Sequence, residues 1–125
     1  MVFTGTQRII SPNPKQTYCV LVAAEAINKY QVATTTGYVA DSSNVFHKSI
    51  IAGISIDDIE SLHSGKVVFE GEVENENWTW TRGDVLYLNG TTISTTPPTT
   101  GFIVTLGSAI SPFRVLVNIS VSILL

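Results

Sequence analysis

The sequence predicts an all-β domain: a small β-barrel or β-sandwich built from two echoing β units, with an extended N-terminal arm. Three observations carry this expectation. From Tyr18 onward, short runs of β-branched and apolar residues alternate with turn residues. Only Ala23 to Lys29 reads as a helix. A turn, a strand and a glycine recur in the same order in both halves of the chain.

Residues 1–17 form the arm. They are polar and contain Pro12 and Pro14, whose rings fix the backbone and remove donors. Val2, Phe3, Ile9 and Ile10 are the apolar residues on it and the candidate anchors for a partner. Residues 18–125 form a single β domain. Its strand runs are Val20-Leu21-Val22, Gln31 to Thr36, Ser49 to Ile56, Lys66 to Phe69 with Val73, and Val85 to Leu88. Phe102 to Leu106 follows, and Val115 to Leu125 is a long apolar finish. Asn89-Gly90 is a hairpin-turn dipeptide, and Asp57 is placed to cap one short turn reaching Leu62.

The repeat is read from spacing. Tyr30-Gln31-Val32-Ala33 enters a strand and Gly53 follows it. Gly83-Asp84-Val85-Leu86 does the same and Gly107 follows at nearly the same distance. Each half closes on a strand, Val67-Val68-Phe69 or Val115-Leu116-Val117, giving units of 18–73 and 78–121. A lone meander has one apolar face that a second copy can cover.

Composition narrows the function. Of the 125 residues, 14% are charged and 44% hydrophobic, against about 25% charged in an average soluble domain. A surface so poor in charge suits a chain that covers part of itself with partners. The net charge is −3, and Lys15, Lys29, Lys48 and Lys66 are scattered, which argues against nucleic-acid binding. The longest apolar run, Val20 to Ala24, is too short to span a bilayer, and no secretory signal is visible at the N-terminus. Cys19 stands alone and reads as a packing residue.

No residue set for chemistry emerges. His47 and His63 share no short motif, and the spacing of neither fits a metal site. The chain has no nucleophile elbow, phosphate loop or dinucleotide fingerprint, so no cofactor is expected. Glu70, Glu72, Glu74 and Glu76 would line one face of an extended strand and must be solvated, bent apart or paired with cations. Trp78 and Trp80 share a parity. They read as a plug in the core or at an oligomer interface, with an aromatic platform for sugar rings as the alternative.

The run Trp78-Thr79-Trp80-Thr81-Arg82-Gly83-Asp84-Val85-Leu86-Tyr87-Leu88 resembles a stretch of small structural proteins from tailed-phage particles. The resemblance continues through Thr95-Thr96-Pro97-Pro98, Gly101-Phe102 and the turn-like Gly107-Ser108-Ala109-Ile110-Ser111, then Val117 to Leu125. Around Ala24 to Ile27 and Ala52 to Ile54 the chain is similar to capsid decoration, or cement, proteins. Arg82 stands where that pattern often has proline.

The resemblance implies a virion structural protein, made in the host cytoplasm and placed on the outer capsid. Its partners would be the major capsid protein and further copies of itself, as a homotrimer. The arm would add a strand to a sheet edge of the shell, and many copies on a symmetric shell would gain by multivalency. Ile123, Leu124 and Leu125 would be buried in an oligomer. The same module occurs in tail-fibre and head-fibre proteins, so a fibre module binding a host receptor or glycan is the alternative.

Overall fold

The computed structural model describes residues 16–125. The strands are β1 (Gln16–Val22), β2 (Val32–Thr34), β3 (Ile51–Ser55), β4 (Ser64–Glu74), β5 (Val85–Asn89), β6 (Thr92–Ser94), β7 (Phe102–Ile103), β8 (Thr105–Ser111), β9 (Arg114–Asn118) and β10 (Ile123–Leu124). A single 3-10 turn, Val45–His47, is the helical element among the described residues. The chain is all-β, and its main sheet curls into a nearly closed antiparallel barrel.

The strand order of that sheet is β2-β3-β4-β9-β8-β5-β6, with β1 also on β4, while β7 and β10 pair apart from it. β4 is the hub. β1 pairs along it from Ser64 to Gly71, β3 at Val67 and Val68, and β9 from Glu70 to Glu74. Val67, Val68, Glu70 and Gly71 therefore have partners on both sides, so β1 holds one edge and β3 and β9 share the other.

The barrel closes through residues 39–42. Val39 bridges to Ala33, and the Ala40 N–H donates to the Val32 carbonyl at 2.8 Å. Ser42, buried at 2% exposure, then reaches the far side. Its hydroxyl oxygen accepts the Gly90 N–H at 2.8 Å, and its own N–H donates to the Gly90 carbonyl at 2.9 Å. The Ser42 carbonyl accepts the Phe102 N–H at 3.0 Å. A buried hydroxyl is tolerated here because it satisfies a backbone donor that would otherwise be stranded.

One plan is used twice. In the turn before β2, the Gln31 N–H donates to the Asn28 carbonyl at 3.0 Å, and the Asn28 N–H donates to Gln31 Oε1 at 2.8 Å. Before β5, Asp84 and Thr81 repeat both bonds, at 2.9 Å and 2.9 Å. The next step also matches. Ala33 faces Gly53 and Thr34 faces Ile51, skipping one residue, while Leu86 faces Gly107 and Tyr87 faces Thr105. The skipped residue is a bulge, and a glycine sits in each because the neighbouring strand passes too close for a side chain. A Cβ at Gly53 would lie 2.1 Å from the Val68 carbonyl oxygen, and one at Gly107 would lie 2.0 Å from that of Leu116.

The two units pack back to front. In the second, Leu86, Leu106 and Val115 point into the main core with Phe102, Leu88 and Val117. Their counterparts in the first, Ala33, Ala52 and Val67, instead join a smaller cluster with Leu21, Ala23, Ile27 and Ile59. Conversely, Val32, Ile54 and Val68 of the first unit face the main core, while of their counterparts Val85, Ser108 and Leu116, Ser108 is half-buried and Val85 and Leu116 lie 44% and 43% exposed. Each fully buried Val, Leu, Ile or Phe side chain contributes about 1.5–3 kcal/mol relative to exposure.

Several local expectations are corrected. Ala23 to Lys29 is a loop, not a helix. Its N–H groups go to distant carbonyls, Ala23 to His63, Ala24 to Gly37 and Ile27 to Ile59, all within 2.9 Å. Asp57 caps no helical turn; its carboxylate accepts the Lys66 N–H at 2.8 Å. Gly107 to Ser111 is strand rather than turn, and β8 and β9 are joined at Pro112-Phe113. The apolar finish breaks after Asn118, and only Ile123 and Leu124 resume as strand. Gln16 and Thr17, read as arm, belong to β1 and pair with Gly71 and Glu70.

Candidate interaction surfaces

Ile123, Leu124 and Leu125 lie at the surface. β10 pairs with β7 through Ile123 opposite Ile103 and Leu124 opposite Phe102, and the Leu125 N–H donates to the Gly101 carbonyl at 2.9 Å. The backbone is thus anchored while the three side chains remain more than half exposed, with Val121 beside them at 84%. Side chains alternate between the two faces of a strand, so Ile123 and Leu124 expose apolar surface on both sides of β10, a candidate contact surface.

A second apolar row lies on β1. Tyr18, Val20 and Val22 are exposed, while Leu21 between them is buried in the smaller cluster. The Lys66 ammonium sits 5.2 Å from the centre of the Tyr18 ring. The sequence does not single out this row, because Tyr18 to Val22 is apolar on both faces. Its signal was the lack of any alternation, which is unusual for a strand with one wet side.

Trp78 and Trp80 lie outside any strand, in the loop between β4 and β5. The shared side expected of them is present, with ring centres 5.9 Å apart, and both pack partly buried against the main core. The Trp80 N–H bonds to the Pro112 carbonyl at 3.1 Å, as the Ile27 N–H bonds to Ile59 in the first unit. Trp80 thus fills the place of Ile27. Its Nε1 is buried without a hydrogen-bond partner among the described residues. Trp78 in turn packs on Tyr30, ring centres 5.2 Å apart. In the sequence Tyr30 reads as a turn residue only.

Glu70, Glu72 and Glu74 lie along β4 opposite Asn118, Leu116 and Arg114 of β9. Arg114 Nε approaches Glu74 at 3.8 Å, with both side chains about half exposed. Such a pair is worth under about 1 kcal/mol. Glu76 is exposed in the turn that follows. Between Gln16, Lys29, Tyr30, Glu72, Glu74 and Arg114 lies a hollow of about 420 Å³.

The histidines make local contacts of their own. His47 Nδ1 accepts the Asp41 N–H at 3.1 Å, and His63 meets Glu60 at 3.3 Å on the open surface. Among the described residues no group of three or more His, Cys, Asp or Glu side chains is arranged to hold a metal. Asp41 has its carboxyl held below the ordinary value by the Ser43 hydroxyl and then by the Ser43 N–H. Val2, Phe3, Ile9 and Ile10 lie outside the described residues.

Comparison with protein-family models, with curated proteins and with solved structures finds no match for this chain.

Proposed function

We propose that this chain is a structural protein of a tailed-phage particle: a capsid decoration protein that binds the outer shell and reinforces it, assembling with copies of itself. The observation that carries this reading is the C-terminal surface. Ile123, Leu124 and Leu125 are displayed on an anchored backbone next to Val121. Leaving four large apolar side chains in water is unfavourable, and a symmetric contact between copies removes the cost. The motif from Trp78 to Leu88 supports the choice of a virion protein, and the row on β1 offers a further contact. The arm, with Phe3 and Ile9-Ile10, binds the major capsid protein by adding a strand to an exposed sheet edge.

The test is co-sedimentation with undecorated capsids. The intact chain pellets with the shells. A chain lacking residues 1–14 stays in the supernatant while keeping its circular dichroism and Trp fluorescence. Undiminished pelleting of the truncated chain removes the arm from the mechanism.

The fibre-module reading retains one observation in its favour: the Tyr30–Trp78 pair beside the 420 Å³ hollow, with carboxylates and an amide close by. A change in Trp fluorescence on titration with host polysaccharide would favour it.

A further inference from the structure

The hairpin at Asn89-Gly90 carries a reactive pair that its place in the fold holds in check. Asn89 is the one asparagine of the chain followed by glycine. A glycine has no side chain to keep its amide nitrogen away from the residue before it. The Gly90 nitrogen can therefore reach the Asn89 side-chain carbonyl once both are free to move. Asn89 ends β5 and pairs with Thr92 at the start of β6. Gly90 is thus the first of the two loop residues, and its φ of 61° is the left-handed value that favours glycine at this position.

Three hydrogen bonds fix the groups that would react. The Gly90 N–H donates to the Ser42 hydroxyl oxygen at 2.8 Å. The Asn89 carbonyl, on the same peptide, accepts the Thr92 hydroxyl at 2.9 Å. The Asn89 side-chain amide donates through Nδ2 to the Thr96 carbonyl at 3.1 Å. Ring closure requires the Gly90 nitrogen to turn toward Asn89 Cγ and to lose its proton. The first two bonds hold that peptide at both of its polar ends, and the third ties the side chain to the residues after β6. Ser42 belongs to the seam that closes the barrel, so the brake on Asn89 is the seam itself.

We propose that Asn89 is a site of covalent modification by deamidation, gated by the Ser42 seam. When the seam opens locally, the Gly90 nitrogen attacks Asn89 Cγ. A nitrogen–carbon bond forms, the Cγ–Nδ2 bond breaks, and the side-chain nitrogen leaves as ammonia with the proton lost by Gly90. The product is a cyclic succinimide. Water then opens the ring at one of its two carbonyls, giving aspartate or isoaspartate at position 89, with no oxidant or reductant involved. Either product opposes the seam. An aspartate has no donor for the Thr96 carbonyl and sets a negative charge beside that oxygen. An isoaspartate runs the main chain through the former side chain, which lengthens the turn and draws the Gly90 N–H away from Ser42. Opening permits the reaction, and the reaction then keeps the seam open. This inference does not rest on shell binding.

The test is peptide mapping by mass spectrometry of the full chain, incubated at mildly alkaline pH under reducing conditions, with amide-to-acid conversion at Asn89 followed over time. The folded wild-type chain should convert more slowly than the same chain unfolded in urea. Ser42→Ala should convert about tenfold faster than folded wild type, because one seam bond no longer opposes local opening. Ser42→Cys keeps the size of the side chain and weakens the acceptor, so it should fall between the two. Circular dichroism establishes first that each variant is folded. In a second measurement, Asn89→Asp should quicken amide exchange at Gly90 and Phe102 and leave Val115 unchanged. Equal conversion rates in wild type and both Ser42 variants overturn the gate. Conversion spread evenly over Asn75, Asn77 and Asn89 overturns the site. Unchanged exchange at Gly90 in Asn89→Asp overturns the effect on the seam. None of these readings involves capsids, so this inference and the proposed function can fail separately.

Discussion

Tyr30 and Gly83 occupy the same position in two copies of one turn. The Tyr30 N–H donates to the Ser55 carbonyl at 2.7 Å and the Gly83 N–H to the Ala109 carbonyl at 2.8 Å. Both have positive φ, 72° and 94°. The glycine fits without strain, and the tyrosine is held there by its ring contacts with Trp78 at 5.2 Å and the Lys29 ammonium at 5.2 Å.

This relationship predicts an inverted substitution order. Tyr30→Ala loses the ring and keeps the unfavourable backbone, whereas Tyr30→Gly loses the ring and relieves the backbone. The glycine variant should be the more stable by about 1 kcal/mol, opposite to the usual order of these residues in strands and helices. Urea denaturation followed by Trp fluorescence measures the difference. An alanine variant at least as stable would show that the turn carries no strain.

Gly53→Ala and Gly107→Ala should each cost about 3 kcal/mol or more, because the added carbon meets a backbone carbonyl that cannot move without breaking the sheet. Gly83→Ala is the control. Nothing lies within 4 Å of its added carbon, so only the positive φ counts, at about 1–2 kcal/mol. Comparable losses at all three positions would contradict the close approach at the bulges.

Ser42→Ala should destabilise the chain by about 1–3 kcal/mol, since it leaves the part-buried N–H of Gly90 without its acceptor. The loss should appear first in the seam. Amide exchange at Gly90 and Phe102 should quicken more than at Val115, deep in the sheet. Uniform acceleration would mean that Ser42 does not close the barrel.

Asp41 predicts an acid-sensitive seam. Bonds from the Ser43 hydroxyl and N–H hold its carboxyl below the ordinary value, so the folded chain binds that proton less tightly than the unfolded chain does. The stabilisation is therefore complete above the ordinary carboxylate range. It is lost as pH falls through that range toward the lower folded value. Asp41→Asn should flatten this part of the stability–pH curve, and a variant with the wild-type slope would remove Asp41 from the acid response.

Much of the fold could be read from the sequence because the repeat is written in backbone requirements. Gly53 and Gly107 mark bulges where only glycine fits, and the turns before Val32 and Val85 carry side-chain acceptors at the same spacing. The back-to-front packing could not be read. It depends on which face of each unit is covered, and Ala33 and Leu86 are both apolar at equivalent positions. The loop from Ala23 to Lys29 has helical composition, but tertiary bonds to His63, Gly37 and Ile59 outweigh that propensity. Of the surface sites, the C-terminal leucines stood out by composition, whereas Tyr30 gave no signal until the turn geometry was known.

If the C-terminal surface joins copies of the chain, Ile123→Asp with Leu124→Asp should lower the mass seen by light scattering from oligomer to monomer. The folded signal should persist, since neither side chain is in the core. A wild-type chain already monomeric at high concentration would remove the interface.

The most direct test of the virion assignment is cryo-electron microscopy of purified particles that carry this chain, with their protein content measured in parallel. The assignment predicts many copies on the outer capsid, clustered about local symmetry axes with the C-terminal strands in contact. Particles that lack the chain, or that carry it only at the tail, would contradict it.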